Sequence, residues 1–248
     1  MPDHLDRYPS VDAYYKTKEK LLRASTKVVC FDAWRVERNQ QASNESTQDW
    51  LWAGQVRDSK DGSVGTQKGV EVIDAGQVYR FTHADLEGEI RKHGVWLSRH
   101  NGSNAASAIA VALCLGLSFE SSLAALKSFT GLAHRCEVVH TDDGVTWIND
   151  SKATNVGAAV SAIRSFGDGA PLILIAGGKA KQEDYGLLAG TLSEMASIKG
   201  VLLYGEAAGL ISEQLGESFH QEVFEDLVNA IASAHAMSLH GDVVLFSP

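Results

Sequence analysis

The 248-residue chain has little cysteine and no long apolar run. Its three cysteines, Cys30, Cys114 and Cys136, are widely spaced and form no CxxC pair. This pattern predicts reduced thiols in a cytoplasmic protein. No stretch approaches the roughly 18 apolar residues of a membrane span, and the opening residues Met-Pro-Asp-His-Leu-Asp-Arg are too polar for a signal peptide. We therefore expect no membrane partner.

The chain also lacks an excess of positive charge. It has 22 Lys and Arg residues against 31 Asp and Glu residues, a formal net charge of −9. Proteins that bind nucleic acids usually carry a basic face, so this balance argues against a nucleic-acid partner. A few local cations could still hold an anionic nucleotide. However, neither a GxxxxGK[ST] nor a GxGxxG motif occurs, so the chain contains no recognisable phosphate-binding glycine loop.

The first half of the chain has the pattern of a small sheet followed by helices. Hydrophobic content of 44% and charged content of 21% are ordinary for a soluble globular protein, and the length suits one large or two ordinary domains. We predict a helix over 11–23 capped by Ser10, strands at 27–31, 50–56, 70–74 and 77–82, and a loop over 32–49. Ala75-Gly76 predicts a hairpin connection, and the sheet is antiparallel or mixed. Two helices follow, at 105–115 with Gly116 as C-cap and at 119–129.

A boundary is predicted within residues 131–137, after which strands alternate with helices. Segments 138–140 and 145–148 flank the hairpin turn Asp142-Asp143-Gly144. Continuous apolar runs at 172–176, 201–204 and 243–246 are typical of strands buried on both faces. Helices are predicted near 184–195, 207–215 and 226–237. This alternation predicts an α/β domain with a mainly parallel sheet and right-handed crossovers.

One stretch of the second half, residues 147–155, combines a strand end, a polar turn and a helix start. The helix is indicated by the apolar positions Val156, Ala159, Val160 and Ile163. Backbone N–H groups and the positive end of the helix dipole would meet an anion there. The alternative is a structural turn in which Asn149, Asp150 or Ser151 caps the helix. Chemistry alone leaves both interpretations open.

The residues of this turn also resemble a known family signature. Asn-Asp-Ser-Lys-Ala-Thr-Asn at 149–155 resembles the signature of the bacterial D-glutamate-adding muramyl ligases, whose sister ligases carry different residues at this turn. The segments Asp-His-Leu-Asp-Arg-Tyr at 3–8, His-Asn-Gly-Ser-Asn-Ala at 100–105, Gly-Leu-Ala-His-Arg-Cys-Glu at 131–137 and the final Ser-Pro are similar to further motifs of the same family.

The resemblance implies an α/β fold in two parts. Residues 1–130 would be a partial Mur-ligase central ATP-binding domain, and residues 131–248 a Rossmann-like C-terminal domain. Family members begin with a UDP-binding domain and a phosphate loop, and they end with a further loop and helix. Those segments are not among these residues, so we interpret the chain as truncated at both ends and expect it to be inactive alone.

The resemblance also implies ATP and Mg²⁺ as ligands of particular residues. His4 would bind the magnesium ion, and a carbamylated Lys18 would supply the hard oxygen ligands that Mg²⁺ prefers. A surface histidine and a solvated lysine-rich helix face, with Lys16 and Lys20 as neighbours, are the structural alternatives.

Five residues are expected to contact the nucleotide. Asn101 and Asn104 would contact adenine, since an amide offers both a donor and an acceptor; a helix cap is the alternative for Asn104. Arg135 would reach the ribose or phosphates, unless it pairs with Glu137. Asp150 would meet the ribose hydroxyls. Lys152 would approach the phosphates and the developing acyl phosphate.

Three further residues are expected to bind D-glutamate: Thr154, Ser247 and Lys181, with Lys179 as the competing lysine. The implied reaction is ATP-dependent amide formation between UDP-N-acetylmuramoyl-L-alanine and D-glutamate, by a monomer. It serves peptidoglycan synthesis and therefore cell-wall biogenesis, cell shape and cell division. A different amide ligase of the Mur or folylpolyglutamate type, or a non-catalytic nucleotide-binding module, would be the alternative.

Overall fold

The computed structural model describes residues 9–10, 13, 28–31, 50–55, 69–74, 77–82, 99–166, 170–180 and 184–248. The chain divides into two compact units, and along these residues the division falls between Phe129 and Thr130. Several predictions lie outside the described residues: the loop over 32–49, most of the helix over 11–23, the Ala75-Gly76 connection, and the site residues His4, Lys18 and Lys181.

Unit 1 contains a four-stranded mixed sheet, as predicted. Its strands are β1 (Val28–Phe31), β2 (Trp50–Gln55), β3 (Gly69–Asp74) and β4 (Gln77–Thr82), and they lie in that order. The pair β1–β2 is parallel, while β2–β3 and β3–β4 are antiparallel. Asp74 pairs with Gln77, so β3 and β4 form the expected hairpin.

Helix α1 (Arg99–Cys114) packs on β2 and β3 of this sheet. It begins at Arg99 and not at Ala105, because the first six residues of the helix are polar or glycine and leave no apolar period to read. Asn104 therefore lies inside the helix, and its interpretation as a cap is wrong. Gly116, at φ +83°, ends the helix as predicted. The Gly116 and Leu117 N–H groups bond the Leu113 and Ala112 carbonyls, both at 3.0 Å, which is the Schellman pattern.

Two serines cap helices of unit 1. The N–H of Ala13 donates to Ser10 Oγ at 3.1 Å, the bond expected of the predicted cap. Ser118 accepts the N–H of Ser121 at 3.1 Å at the start of α2 (Phe119–Lys127). Helix α2 ends at Lys127, two residues before the predicted end, where Ser128 forms the C-cap.

Unit 2 is an α/β domain with a six-stranded sheet, which confirms the predicted fold class. The sheet order is β5-β6-β10-β7-β8-β9; β5 is antiparallel to β6, and the other neighbours are parallel. In chain order the elements are β5 (Glu137–Asp142), β6 (Val145–Asn149), α3 (Val156–Phe166), β7 (Leu172–Gly177), α4 (Gly186–Ser193), β8 (Ile198–Tyr204), α5 (Ala208–Leu215), a 3-10 turn (Gly216–Ser218), β9 (Gln221–Phe224), α6 (Leu227–Met237) and β10 (Val243–Phe246).

The sheet of unit 2 is covered on both faces. Side chains of α3, α4 and α5 form one core with Leu172 and Leu174 of β7. Ala230 and Ala234 of α6 form a second core with Ile173 and Ile175. Successive residues of β7 thus point into different cores, so a strand in this position is apolar throughout.

The parallel strands end at one edge of the sheet. The chain leaves β6 through α3, passes over to β7, and returns last to β10, which lies between β6 and β7. Such a reversal of strand order opens a crevice beyond the carboxyl ends of the strands. None of the helices in the described part of the chain has both the length and the apolar content needed to span a membrane.

Candidate functional site

The turn between β6 and α3 is shaped by the two asparagines of its sequence. Asn149 Oδ1 accepts the N–H of Ser151 at 3.0 Å, and Asn155 Oδ1 accepts the N–H of Ala158 at 2.9 Å. Asn155 is therefore the N-cap of α3. The prediction that Asn149, Asp150 or Ser151 caps this helix is wrong, because α3 begins later, at Val156.

Asp150 lies inside the turn and is only 6% exposed. Its Oδ1 accepts the backbone N–H of Cys136 at 3.1 Å, and its Oδ2 accepts the Ser247 hydroxyl at 3.4 Å. Burial raises the pKa of Asp150 above its ordinary value, although hydrogen bonds from Cys136 and Ser247 and the charge of Arg135 oppose this rise. One carboxylate thus ties together the 130–136 loop, the turn and the end of β10.

The thiol of Cys136 is also held by this carboxylate. Burial, the charge of Asp150 and the hydrogen bond to it together raise the pKa of Cys136 to about 12. A thiol with so high a pKa stays protonated at neutral pH and is a poor nucleophile. We therefore assign Cys136 a structural and not a nucleophilic part in the site.

Arg135 and Lys152 bring two cations to the same region. Arg135 is exposed, and its charge acts on Asp150. Lys152 is exposed, and its backbone N–H bonds the His134 carbonyl at 3.0 Å. Glu137 accepts the N–H of His134 at 2.8 Å, and within the described residues no ion pair joins Glu137 to Arg135. The alternative of an Arg135–Glu137 pair is therefore wrong.

An open pocket lies beside the turn, wholly within unit 2. Its volume is about 180 Å³, below the ~300–1,000 Å³ of pockets for drug-sized ligands, so it suits a molecule the size of one amino acid. Its lining contains both apolar and polar side chains. Its lining includes Thr154, Lys179, Tyr185 and Ser247.

Two glycines after β7 form part of the pocket wall. Gly177 and Gly178 have φ of +138° and +87°. A Cβ on Gly177 would collide with the carbonyl oxygen of Tyr204, so glycine is needed where the ends of β7 and β8 approach each other. Glycine at Gly177 thus lets the two strand ends meet.

The structure brings some of the sequence-predicted residues together. Thr154 and Ser247 line the pocket, as does Lys179, the second choice beside Lys181. Asn101 and Asn104 lie in α1, in unit 1. Within the described residues, no group of three or more His, Cys, Asp or Glu side chains could hold a metal ion; the predicted magnesium ligands lie outside those residues.

Residues that the sequence did not single out complete the site. Cys136 binds Asp150, His134 contacts the turn, and Tyr185, 8% exposed, lines the pocket. The only sequence signal for His134 and Cys136 was their place in the Gly-Leu-Ala-His-Arg-Cys-Glu segment. Taken together, the pocket, the exposed cations Arg135 and Lys152 and the crevice make this edge of unit 2 a candidate site for a small polar ligand and an anion.

Comparison with known proteins specifies the class further. Residues 134–248 match the family described as Mur ligase, glutamate ligase domain. The UDP-N-acetylmuramoylalanine–D-glutamate ligase of Pseudomonas fluorescens is 34% identical over 99% of this chain, and that of Legionella pneumophila is 34% identical over 100%. The chain therefore belongs to the Mur ligase family. It spans about half of these curated relatives, 53% and 54% of their lengths.

Solved structures of Mur ligases have the same fold as this chain. The UDP-N-acetylmuramate–alanine ligase of Thermotoga maritima superposes with a TM-score of 0.64 at 18% identity, covering 98% of this chain and 53% of that one. The MurF ligase of the same organism, solved in complex with ADP, gives 0.63 at 16% identity, covering 98% and 55%. At these identities the likeness shows the fold.

Proposed function

We propose that the chain is part of a cytoplasmic, monomeric ligase that uses ATP to join D-glutamate to UDP-N-acetylmuramoyl-L-alanine. The product would supply peptidoglycan synthesis, and with it cell-wall biogenesis, cell shape and cell division. One observation carries the proposal: the turn that bears the family signature presents the exposed Lys152, is bonded at Lys152 to the loop that carries Arg135, and contributes Thr154 to the amino-acid-sized pocket. The name and the 34% identity of the relatives support the same reaction.

D-Glutamate would occupy the pocket. A carboxylate needs hydroxyl donors and a cation. Thr154 and Lys179 of the lining are residues of these kinds, and the Ser247 hydroxyl, which donates to Asp150 in this structure, would turn toward the ligand. Lys181 remains the lysine that the family resemblance predicts for this contact. Comparing Lys179→Ala with Lys181→Ala would separate the two, since the variant with the larger rise in KM for D-glutamate identifies the lysine that holds a carboxylate.

ATP would lie along the turn. Arg135 and Lys152 make no ion pair within the described residues, so their charges are available to phosphate oxygens, which both side chains bind well. Asp150 remains the predicted ribose contact, and Asn101 and Asn104 the predicted adenine contacts. The ADP complex of the Thermotoga maritima MurF ligase supports a nucleotide in this fold.

The proposed chemistry proceeds in two displacements. The terminal carboxylate of UDP-N-acetylmuramoyl-L-alanine attacks the γ-phosphorus of ATP, and ADP leaves. The amine of D-glutamate then attacks the acyl carbon, the amide C–N bond forms, and phosphate leaves as the nitrogen loses a proton. Such a site acts by positioning the reactants and neutralising phosphate charge. Mg²⁺, proposed to be held by His4 and a carbamylated Lys18, would neutralise part of that charge.

The test is a coupled assay on the natural gene product that contains this chain. With ATP, Mg²⁺, UDP-N-acetylmuramoyl-L-alanine and D-glutamate, we expect phosphate release and one amide product by mass spectrometry. Omitting either UDP-N-acetylmuramoyl-L-alanine or D-glutamate should abolish both the phosphate release and the amide product. Phosphate release that is independent of D-glutamate, or an absence of product, would overturn the proposal.

Two controls separate the proposal from its alternatives. Replacing D-glutamate with L-glutamate, glycine, L-alanine or diaminopimelate tests for a ligase of different amino-acid specificity, and we expect product with D-glutamate alone. Measuring ATP binding alongside turnover tests for a non-catalytic module, which would bind nucleotide without releasing phosphate under any combination of substrates.

A further inference from the structure

His134 joins the 130–136 loop to the signature turn through both backbone and side chain. Its carbonyl oxygen accepts the N–H of Lys152 at 3.0 Å, and its Nδ1 lies 3.0 Å from Asn149 Nδ2. Its own N–H donates to Glu137 Oε2 at 2.8 Å. The turn is therefore attached at both Asn149 and Lys152 to one exposed residue outside it.

The direction of the side-chain bond follows from the neighbouring contact. Asn149 Oδ1 already accepts the N–H of Ser151 at 3.0 Å, so the amide nitrogen faces the ring. An amide NH₂ can only donate. Nδ1 of His134 must then be the acceptor, and Nε2 carries the ring hydrogen. One chain of hydrogen bonds thus runs from the ring of His134 through Asn149 to the backbone of Ser151.

The backbone of the loop is strained where these contacts occur. His134 and Cys136 have φ of +66° and +49°, the left-handed region that non-glycine residues rarely adopt. Cys136 is held by its N–H bond to Asp150, and His134 by its bonds to Asn149 and Lys152. Strained residues persist where the surroundings fix them, often at functional sites.

We propose that His134 is a positioning residue of the ligase: it fastens the signature turn so that Lys152 and Asp150 keep their places at the crevice. The role rests on the proposed function, and it assigns His134 no contact with substrate. Because His134 is not among the residues that line the pocket, its loss should lower kcat and leave the KM for D-glutamate unchanged.

Three substitutions separate the ring from the backbone. His134→Ala removes the acceptor. His134→Asn keeps an acceptor, since Oδ1 of asparagine is bonded to Cγ as Nδ1 of histidine is, and asparagine tolerates a left-handed backbone. His134→Gly relieves the strained φ but has no acceptor. His220→Ala is the matched control, because His220 is exposed and pairs with Glu222 of the edge strand β9.

The closing experiment measures kcat, KM and amide hydrogen exchange in the natural gene product that contains this chain. We expect His134→Ala and His134→Gly to lower kcat on the order of 10²-fold, the effect of a small misplacement in a site, and to speed exchange of the Ser151 amide. His134→Asn should recover most of both, and His220→Ala should change neither.

The outcomes distinguish this role from the proposed function. An inactive wild type contradicts the proposed function. An active wild type with undiminished His134→Ala turnover contradicts the positioning role alone, as does a His134→Asn variant as impaired as His134→Ala. A rise in the KM for D-glutamate with kcat unchanged also overturns the role, since it would place His134 in the amino-acid site.

Discussion

Replacing Asp150 separates the hydrogen bonds of its carboxylate from its charge. The side chain accepts the N–H of Cys136 and the hydroxyl of Ser247, which is itself 1% exposed. Asp150→Ala removes both acceptors. Asp150→Asn keeps one acceptor and reverses the other bond: Oδ1 accepts from Cys136, and Nδ2 donates to the Ser247 oxygen, while the charge is lost. The two variants should therefore differ in stability.

The magnitude follows from the groups left without partners. A buried donor that loses its acceptor costs about 1–3 kcal/mol, so the two stronger donors freed by Asp150→Ala, the Cys136 N–H and the Ser247 hydroxyl, cost about 2–6 kcal/mol together. Relief of the buried charge offsets part of this sum. Asp150→Asn keeps the acceptor of the Cys136 N–H and exchanges the Ser247 bond for one of reversed direction, while it removes the buried charge. Near neutral pH we expect the free energy of unfolding to rank Asp150→Asn at or above wild type, and Asp150→Ala lowest.

The contribution of Asp150 to folding stability changes with pH in the opposite direction to that of an ordinary surface aspartate. Burial raises the pKa of Asp150, so the folded protein holds this proton more tightly than the unfolded chain does. The protonated group contributes full stability below its unfolded value of 3.8, and this contribution is lost as the pH rises through the folded pKa. The advantage of Asp150→Asn over wild type should therefore grow as the pH increases from about 4 to about 7.

Urea denaturation at about pH 4 and about pH 7 measures this, with hydrogen exchange of peptides covering β6 and α3 reporting on unit 2. The reasoning is refuted if Asp150→Asn loses as much stability as Asp150→Ala. It is equally refuted if the wild type gains stability relative to Asp150→Asn as the pH rises.

Three further substitutions test the fold around the site. Asn155→Ala removes the cap of α3 and should cost about 1 kcal/mol in urea denaturation, with recovery in Asn155→Ser; no loss would contradict the assigned cap. Gly177→Ala should prevent folding, because its Cβ would collide with the β8 backbone. Gly190→Ala is the control: Gly190 lies in α4 with open space around it, so this substitution should stabilise the protein by about 0.5–1 kcal/mol. Similar melting temperatures for the two variants would contradict this expectation. Lys199→Met breaks the 2.6 Å ion pair between Lys199 and Asp242, which is 4% exposed. The loss should cost about 2 kcal/mol of stability, less than for a fully buried pair because Lys199 is partly exposed. Lys199→Arg should retain most of the stability, and equal losses in the two variants would argue against the pair.

The fold of unit 2 could be predicted largely because its central strands are buried on both faces. Continuous apolar sequence in β7 and β10 identified them, with bounds that agree within one residue. The edge strand β9, Gln221–Phe224, escaped prediction because it is short, half polar and exposed at Val223. The start of α1 escaped because its first residues are polar, and a polar helix face has no hydrophobic period.

The site was harder to predict from the sequence than the fold, because its arrangement depends on contacts between residues distant in sequence. Thr154 and Ser247 were identified by resemblance, and both line the pocket. The burial of Asp150 depends on Cys136 and on Ser247, which lies 97 positions away. No local pattern shows that such residues meet. The cap at Asn155 was missed because the sequence analysis, guided by the charged residues of the turn, placed the cap at earlier positions.

The account depends most directly on where D-glutamate binds. A crystal structure of the natural gene product containing this chain, grown with D-glutamate and ADP, would locate it. We predict a carboxylate of the amino acid within hydrogen-bond distance of the Ser247 or Thr154 hydroxyl, in the pocket beside Gly177. D-Glutamate bound elsewhere, with this pocket empty, would contradict the account.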